Sequence, residues 1–339
     1  MSRYKYLRKL AKTLEYARVM TRGALLSGTA VLVLGLGSTS GARASAQTAP
    51  PEQPPVTPTF KGGVDVVRIA AVVRDRKGRF VQDLSASDFE VLDGGQIRKI
   101  ADFRSDVTGV SIAFLFDVSG SMEGQLPHAR EAAQHVLSWL DARDEAAIYT
   151  FDTHLDLRTP FTTGLRRLPE EMSGVVPFGA TSLHDAIALT ARRVGEREGR
   201  RRAVVVLTDG ADNFSRLTPP EVATVASEID VPVYIFGIVS AIDNPAEEIA
   251  TISAEHSALA GALPDLAAAT GGHTFVASTP AQRSMAARQI VDELRHQYLI
   301  AFESSGRPGW HPLVVRARKK DLIVRARNGY IAGQSRPSL

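Results

Sequence analysis

Residues 110–122 read Val-Ser-Ile-Ala-Phe-Leu-Phe-Asp-Val-Ser-Gly-Ser-Met. From Val110 to Phe116 only Ser111 is polar, which is the pattern of a strand buried on both faces. The run then stops in Asp117-Val118-Ser119-Gly120-Ser121, so a carboxylate and two hydroxyls fall at the carboxyl end of a buried strand. Downstream the text alternates between helix and strand. Leu126 to Leu140 has helical spacing, with Ala129, Ala132, Ala133, Val136, Leu137 and Leu140 on one side. Ala146 to Phe151 reads as a second strand, Thr181 to Val194 as a helix, and Ala203 to Leu207 (AVVVL) as a third buried strand. Thr218 caps a helix with Pro219 at its first position, running to Ile229. Val231 to Ile238 is a fourth strand. A helix over Leu263 to Ala269 ends at Gly271-Gly272, and His273 to Ala277 is a last strand. This alternation predicts an α/β fold, a doubly wound and mostly parallel sheet covered on both faces.

The flanks read differently. Val66 to Val73 is β-prone, Asp75-Arg76-Lys77-Gly78 is a turn, and Phe89 to Leu92 is a strand. Asp93-Gly94-Gly95 is a hairpin turn leading to a return strand over Ile97 to Phe103. After a helical stretch from Gln282 to Gln297, strands return at Tyr298–Phe302, Leu313–Arg318 and Leu322–Arg327. Neither flank buries enough to stand alone. We therefore expect residues 60–107 to pair with 279–335 in a smaller β-rich module beside a central domain over 109–278. Chain ends commonly lie close together, which permits this.

Charge is distributed unevenly. The formal net charge is +3, but residues 1–46 hold eight basic side chains against Glu15 alone. Without them 32 basic and 36 acidic side chains remain, a net of −4, so no nucleic-acid partner is expected. A basic region, an apolar run from Ala24 to Gly37, and Ala44-Ser45-Ala46 as an A-x-A site give residues 1–46 the form of a secretory signal peptide. The apolar run is shorter than the roughly 20 residues of a membrane-spanning helix. An uncleaved amphipathic anchor is the alternative, and Met20 is a second candidate start. Residues 47–59 form a proline-rich linker. The expected location is secreted or periplasmic, with no stable membrane span after cleavage. There is no cysteine, so disulfides, thiolate metal ligands and thiol nucleophiles are excluded.

Three segments bring chemistry to one place. Asp117-Val118-Ser119-Gly120-Ser121 ends the first strand of the central sheet, Thr208-Asp209-Gly210 ends the third, and Gly179-Ala180-Thr181-Ser182 opens a helix. In open parallel sheets ligands collect beyond the carboxyl ends of the strands. Asp117, Ser119, Ser121, Thr181 and Asp209 are all hard oxygen donors. Two carboxylates and three hydroxyls suit Mg²⁺, with Mn²⁺ or Ca²⁺ as alternatives. The hydroxyls add no charge, so a bound ion stays electrophilic toward an outside anion. Asp117 and Ser119 as simple helix caps is the competing reading, although it leaves Asp209 unexplained.

Asp117, Ser119 and Ser121 match the D-x-S-x-S motif of von Willebrand factor type A domains. Thr181 and Asp209 match that family's two other metal-site positions. The resemblance spans roughly residues 109–278 and implies a metal-ion-dependent adhesion site completed by Asp or Glu of a protein partner. By resemblance Ser119 and Ser121 are direct ligands, Thr181 is direct in the ligand-bound state, and Asp117 and Asp209 bind directly or through water. Asp185 is expected to orient the surrounding shell. The family's short antiparallel edge strand falls on Leu155 to Arg158. The flanks also resemble those of bacterial secreted proteins of this kind.

Other chemistries find less support. None of the eight histidines sits at H-x-x-x-H spacing, and His184 reads as a helix-surface residue. Ser119 lacks a G-x-S-x-G setting and an evident base. An aspartyl-nucleophile phosphatase needs an acid where Ser119 stands. The Arg192–Arg202 run reads as a solvated loop, with a docking patch for acidic surfaces as the alternative. The acidic stretch Ala241–Ala258 reads as a solvated insertion. The expectation is a non-enzymatic, metal-dependent binding module. A structural envelope module whose metal only secures loops is the alternative, and a metal-dependent hydrolase is the third reading.

Overall fold

The computed structural model describes residues 66–105, 109–197, 199–228, 230–239 and 262–332. The expected signal peptide, the linker and the Ala241–Ala258 stretch lie outside the described residues. Along the chain come β1 (Val66–Asp75), β2 (Phe89–Asp93), β3 (Gln96–Arg98), β4 (Ile100–Arg104) and β5 (Val110–Asp117). Then follow α1 (Leu126–Trp139), β6 (Glu145–Phe151), β7 (Leu155–Thr163), α2 (Leu183–Gly195), β8 (Arg201–Thr208), α3 (Pro219–Glu228) and β9 (Val233–Ile238). The described chain continues with α4 (Ala262–Ala269), β10 (Thr274–Ala277), α5 (Pro280–Arg295), β11 (Gln297–Glu303), β12 (Gly309–Ala317), β13 (Leu322–Arg325) and β14 (Gly329–Ala332).

Six strands form the central sheet in the order β10-β9-β8-β5-β6-β7. Neighbours are parallel except β7, which runs antiparallel to β6 at the edge. Every residue of β5, β6 and β9 is buried, as their nearly unbroken apolar text requires. On one face Ile112, Phe114 and Phe116 pack with α1 and α5 through Ala133, Val136, Ile290 and Leu294. On the other, Ala113, Leu115, Val204 and Val206 pack with α2, α3 and α4 through Ile187, Val222 and Leu266. Each fully buried branched side chain contributes about 1.5–3 kcal/mol, so two such faces hold the sheet rigid. The edge strand is longer than its sequence signal, because pairing with β6 extends it through Thr163. The glycines after α4 close that helix: Gly271 and Gly272 return their N–H groups to Ala268 and Ala267, and Gly271 takes φ +83°.

The flanking segments build two smaller antiparallel sheets, β13-β1-β11-β4 and β14-β12-β2-β3. Each mixes strands from before and after the central sheet. Ile69 faces Ile300 and Val73 faces Val324, while Val91 faces Val315. The inward residues meet in one core with Phe89, Tyr298, Phe302 and Leu313. Tyr298 serves both as filler and as anchor: its ring lies 5.3 Å from that of Phe89, and its hydroxyl donates to the Val81 carbonyl at 2.8 Å.

Three differences from the sequence reading have physical causes. The single return strand over Ile97–Phe103 is two strands, broken at Lys99. The tight turn fixes β3 on β2, and the chain then crosses so that Phe103 joins Tyr298 in the other sheet. The helix read as part of the C-terminal segment packs instead on the central sheet, where Ala287, Ile290, Val291 and Leu294 find matching apolar residues. The basic run of Arg192–Arg202 is no free loop. Arg197 grips the buried Glu145 carboxylate with bonds of 2.7 and 2.8 Å, and Arg202 donates to the Gly195 carbonyl at 2.6 Å.

Candidate functional site

In the central sheet the chain leaves β5 toward β6 on one side, while β8, β9 and β10 extend on the other. Strand order therefore reverses beside β5, and a crevice opens past the strand ends there. Asp117 is the last residue of β5 and Thr208 the last of β8. After Asp117 the chain enters a single 3₁₀ turn, Gly120–Met122, with Ser119 just before it. The Ser119 hydroxyl makes no capping bond. It donates instead to Asp117 Oδ1 at 2.6 Å, and the Ser119 N–H reaches the same oxygen at 3.0 Å. Ser121 Oγ lies 3.1 Å from Ser119 Oγ. Thr208 Oγ1 donates to the other carboxylate oxygen, Asp117 Oδ2, at 2.7 Å.

The second loop is stitched to the first by main chain. The Phe178 N–H donates to Val118 O at 2.8 Å and the Gly120 N–H to Gly179 O at 3.0 Å. Gly179 adopts φ +89°, a conformation that turns the chain toward Thr181 and favours glycine. A side chain at Gly120 meets that same carbonyl only at 3.4 Å, an ordinary van der Waals approach. The third loop locks onto the second. Thr181 N–H donates to Asn213 Oδ1 at 2.9 Å, and the Asn213 and Phe214 N–H groups return bonds to Thr181 O. Asp209 heads this loop, with Oδ1 accepting from Ala211 N at 3.1 Å.

Burial dominates the electrostatics. Asp117, Ser119 and Thr208 are fully inaccessible, and Thr181 is nearly so. Ser121 is exposed and Asp209 half-buried, so the cluster opens outward on one side. Burial raises the Asp117 carboxyl to about 6; the Ser119 and Thr208 bonds oppose that rise and the nearby Asp209 charge adds to it. Among the described residues no lysine or arginine pairs with Asp117 or Asp209. No group of three His, Asp or Glu side chains converges anywhere among them, so any hard-cation chemistry here draws on hydroxyls as well as acids. Two nearby carboxylates without a protein counter-charge, one of them ringed by hydroxyls, fit a divalent cation.

Several supporting residues escaped the sequence reading. Thr208 stood in a quoted motif without a role, and its position at a buried strand's end was the available signal. His184 is no plain surface residue: its Nδ1 sits 2.8 Å from Asp212 Oδ2, and its N–H donates to the same carboxylate at 2.9 Å. Asp185 accepts from the N–H groups of Arg216 and Leu217 at 2.9–3.2 Å. It thus orders the loop after Asp209 through main chain and makes no bond to Thr181. Asp212 and Asn213 gave no periodic or motif signal, because they act only through loops that are distant in sequence.

The model of the von Willebrand factor type A domain family matches residues 112–211. Residues 112–211 are a von Willebrand factor type A domain. Asp117, Ser119, Ser121, Thr181 and Asp209 all fall inside that span. The type A domain extends structurally beyond the match, since β9 and β10 complete its sheet. Among solved structures, the chain is similar to an aerotolerance-related membrane protein from Bacteroides fragilis, at 19% identity over 55% of this chain and 98% of that one, with a TM-score of 0.44. It is also similar to a von Willebrand factor type A protein from Catenulispora acidiphila, at 13% identity over 81% of this chain and 76% of that one, with a TM-score of 0.43. No curated protein matches the chain. Type A domains are generally interaction modules rather than enzymes. Among the described residues no helix is long and apolar enough to cross a membrane.

Proposed function

We propose that this type A domain holds one divalent cation, Mg²⁺ by donor hardness with Mn²⁺ or Ca²⁺ as alternatives, and uses it to bind a protein partner through an Asp or Glu side chain. The reading places this activity outside the cytoplasm, secreted or periplasmic. The carrying observation is the buried Asp117 carboxylate. It sits beside Ser119, Ser121 and Thr208 without a basic partner, and Asp209 adds further negative charge. Ser119 and Ser121 would hold the ion directly, Thr181 would join when the partner is bound, and Asp117 and Asp209 would supply its charge balance. The ion supplies a fixed positive point that draws an anionic oxygen. Ser121 and Asp209, the more open members, mark the side from which a partner approaches.

The loops carrying these residues are already tied by hydrogen bonds between protein groups. A cation is therefore not needed to secure them, which favours partner binding over a purely structural metal. The hydrolase reading is weaker still: the Ser119 hydroxyl is committed to Asp117, and among the described residues no histidine bonds to it.

Calorimetric titration of the full chain with Mn²⁺, and partner capture from envelope extract with and without chelator, test the proposal. Specific metal uptake and chelator-sensitive capture are expected from the parent, and both are lost in Asp117→Ala with the fold intact. Equal capture by parent and variant overturns it.

A further inference from the structure

Three large apolar side chains stand uncovered on or next to the loops that carry the oxygen donors. Val176 is 79%, Phe178 80% and Phe214 60% exposed. The backbones of the two phenylalanines are fastened to these loops: Phe178 N–H bonds to Val118 O, between Asp117 and Ser119, and Phe214 N–H bonds to Thr181 O at 3.0 Å. The two rings are thus carried on two different loops, each tied by main chain to a residue of the oxygen-bearing segments. A cavity of about 390 Å³ opens beside Phe178, with Val118, Val175 and Val176 as apolar lining and Asp152, Asp156, Arg158 and Glu171 as its charged lining.

Exposed aromatics of this kind carry a solvation penalty in the free protein, and grouped around a polar centre they mark contact surfaces. Aromatic anchors around a desolvated polar contact are the common arrangement of binding hot spots. We propose that Val176, Phe178 and Phe214 select the partner. The docked segment is a peptide or loop in which the acidic residue has an apolar or aromatic neighbour within about three positions, since an extended segment advances roughly 3.3 Å per residue. The acid meets the cation, and one apolar neighbour enters the cavity against Val118, Val176 and Phe178. The charge complementarity of cation and carboxylate fixes the register, and burial of the rim supplies affinity and excludes water from the ionic contact. This inference rests on the cation-site reading above.

The test is a display selection on the immobilised full chain in Mg²⁺, using random heptapeptides with Asp or Glu fixed at the centre. Enriched peptides are expected to carry Phe, Leu, Ile, Trp or Met within three positions of the acid. Their affinity should fall at least tenfold in Phe178→Ser and in Phe214→Ser, with Mn²⁺ affinity measured by calorimetry unchanged. Metal-dependent peptides without apolar enrichment, or rim variants that bind them as well as the parent, overturn the inference and leave the cation site standing. A selection that yields no acid- and metal-dependent binders overturns both.

Discussion

Thr208 and Asp117, 91 residues apart in sequence, are joined by a 2.7 Å hydrogen bond between the ends of two adjacent strands. That bond does two things. It supplies one of the few donors to a buried carboxylate, and it closes the crevice floor at the point where strand order reverses. Thr208 also accepts from Gly210 N–H at 3.0 Å, so the same hydroxyl shapes the turn that carries Asp209.

Replacing it tests that double role. Thr208→Val keeps the shape but leaves the Asp117 carboxylate short of a donor. A lost partner on a buried charged group costs about 1–3 kcal/mol. The expected result is a lower thermal midpoint together with Mn²⁺ affinity reduced at least tenfold by calorimetry. A midpoint and an affinity both equal to the parent's would show that the bond contributes nothing.

Asp117→Asn separates charge from shape. Asn retains an acceptor for the Ser119 N–H, and the Thr208 hydroxyl can turn to accept from the new amide. The variant removes a buried charge that has no basic partner, so the metal-free fold should be at least as stable as the parent. The parent's rise in thermal midpoint on adding Mg²⁺ should vanish. A variant that still gains stability from Mg²⁺ would place the cation elsewhere.

The flanking sheets are pinned to the central domain by two arginines that converge on one buried carboxylate. Glu293 on α5 is fully inaccessible and pairs with Arg325 of β13 and, at 3.0 Å, with Arg74 of β1. Burial pushes the Glu293 carboxyl up, but Arg325 and Arg74 outweigh it and hold the group below its ordinary range. A carboxyl depressed by folding stabilises the protein above its unfolded value of about 4.3, and that stability is lost as pH falls through the folded value. Glu293→Gln takes the counter-charge from Arg325 and Arg74, each about a quarter exposed, at a cost of about 1–3 kcal/mol near neutral pH. Urea unfolding from pH 7 downward should show a gap between parent and variant that narrows under acid. A gap constant with pH would remove Glu293 from the account.

Glycines in the two loops should respond unequally. A Cβ at Gly272 falls 1.9 Å from the Val233 carbonyl oxygen, a backbone atom that cannot swing aside. Gly272→Ala should therefore cost about 3 kcal/mol or more. Gly120→Ala, whose Cβ meets Gly179 O at 3.4 Å, should fold with a near-parental midpoint. Equal losses at both sites would contradict the packing described.

The central sheet was legible because each strand carries its own evidence. β5 and β9 must be almost wholly apolar to be buried on both faces, and that demand is written residue by residue. The break at Lys99 was not legible. Nothing local distinguishes one strand from two, and only the separate partners of Ile97 and Phe103 divide them. β14, a four-residue strand opened by Gly329, gave no periodic signal and exists through its pairing with β12.

The sequence by itself determined which oxygen-bearing side chains are proposed to meet the cation, namely Asp117, Ser119, Ser121, Thr181 and Asp209, because motif spacing and strand-end positions are properties of contiguous text. The tertiary structure alone decided how their surroundings are held: Thr208 bonded to Asp117, Asn213 against Thr181, and Asp212 on His184. It also decided which apolar side chains stay uncovered around them. Such contacts join residues tens of positions apart, and their geometry depends on loop closure and on burial by layers that no single segment encodes.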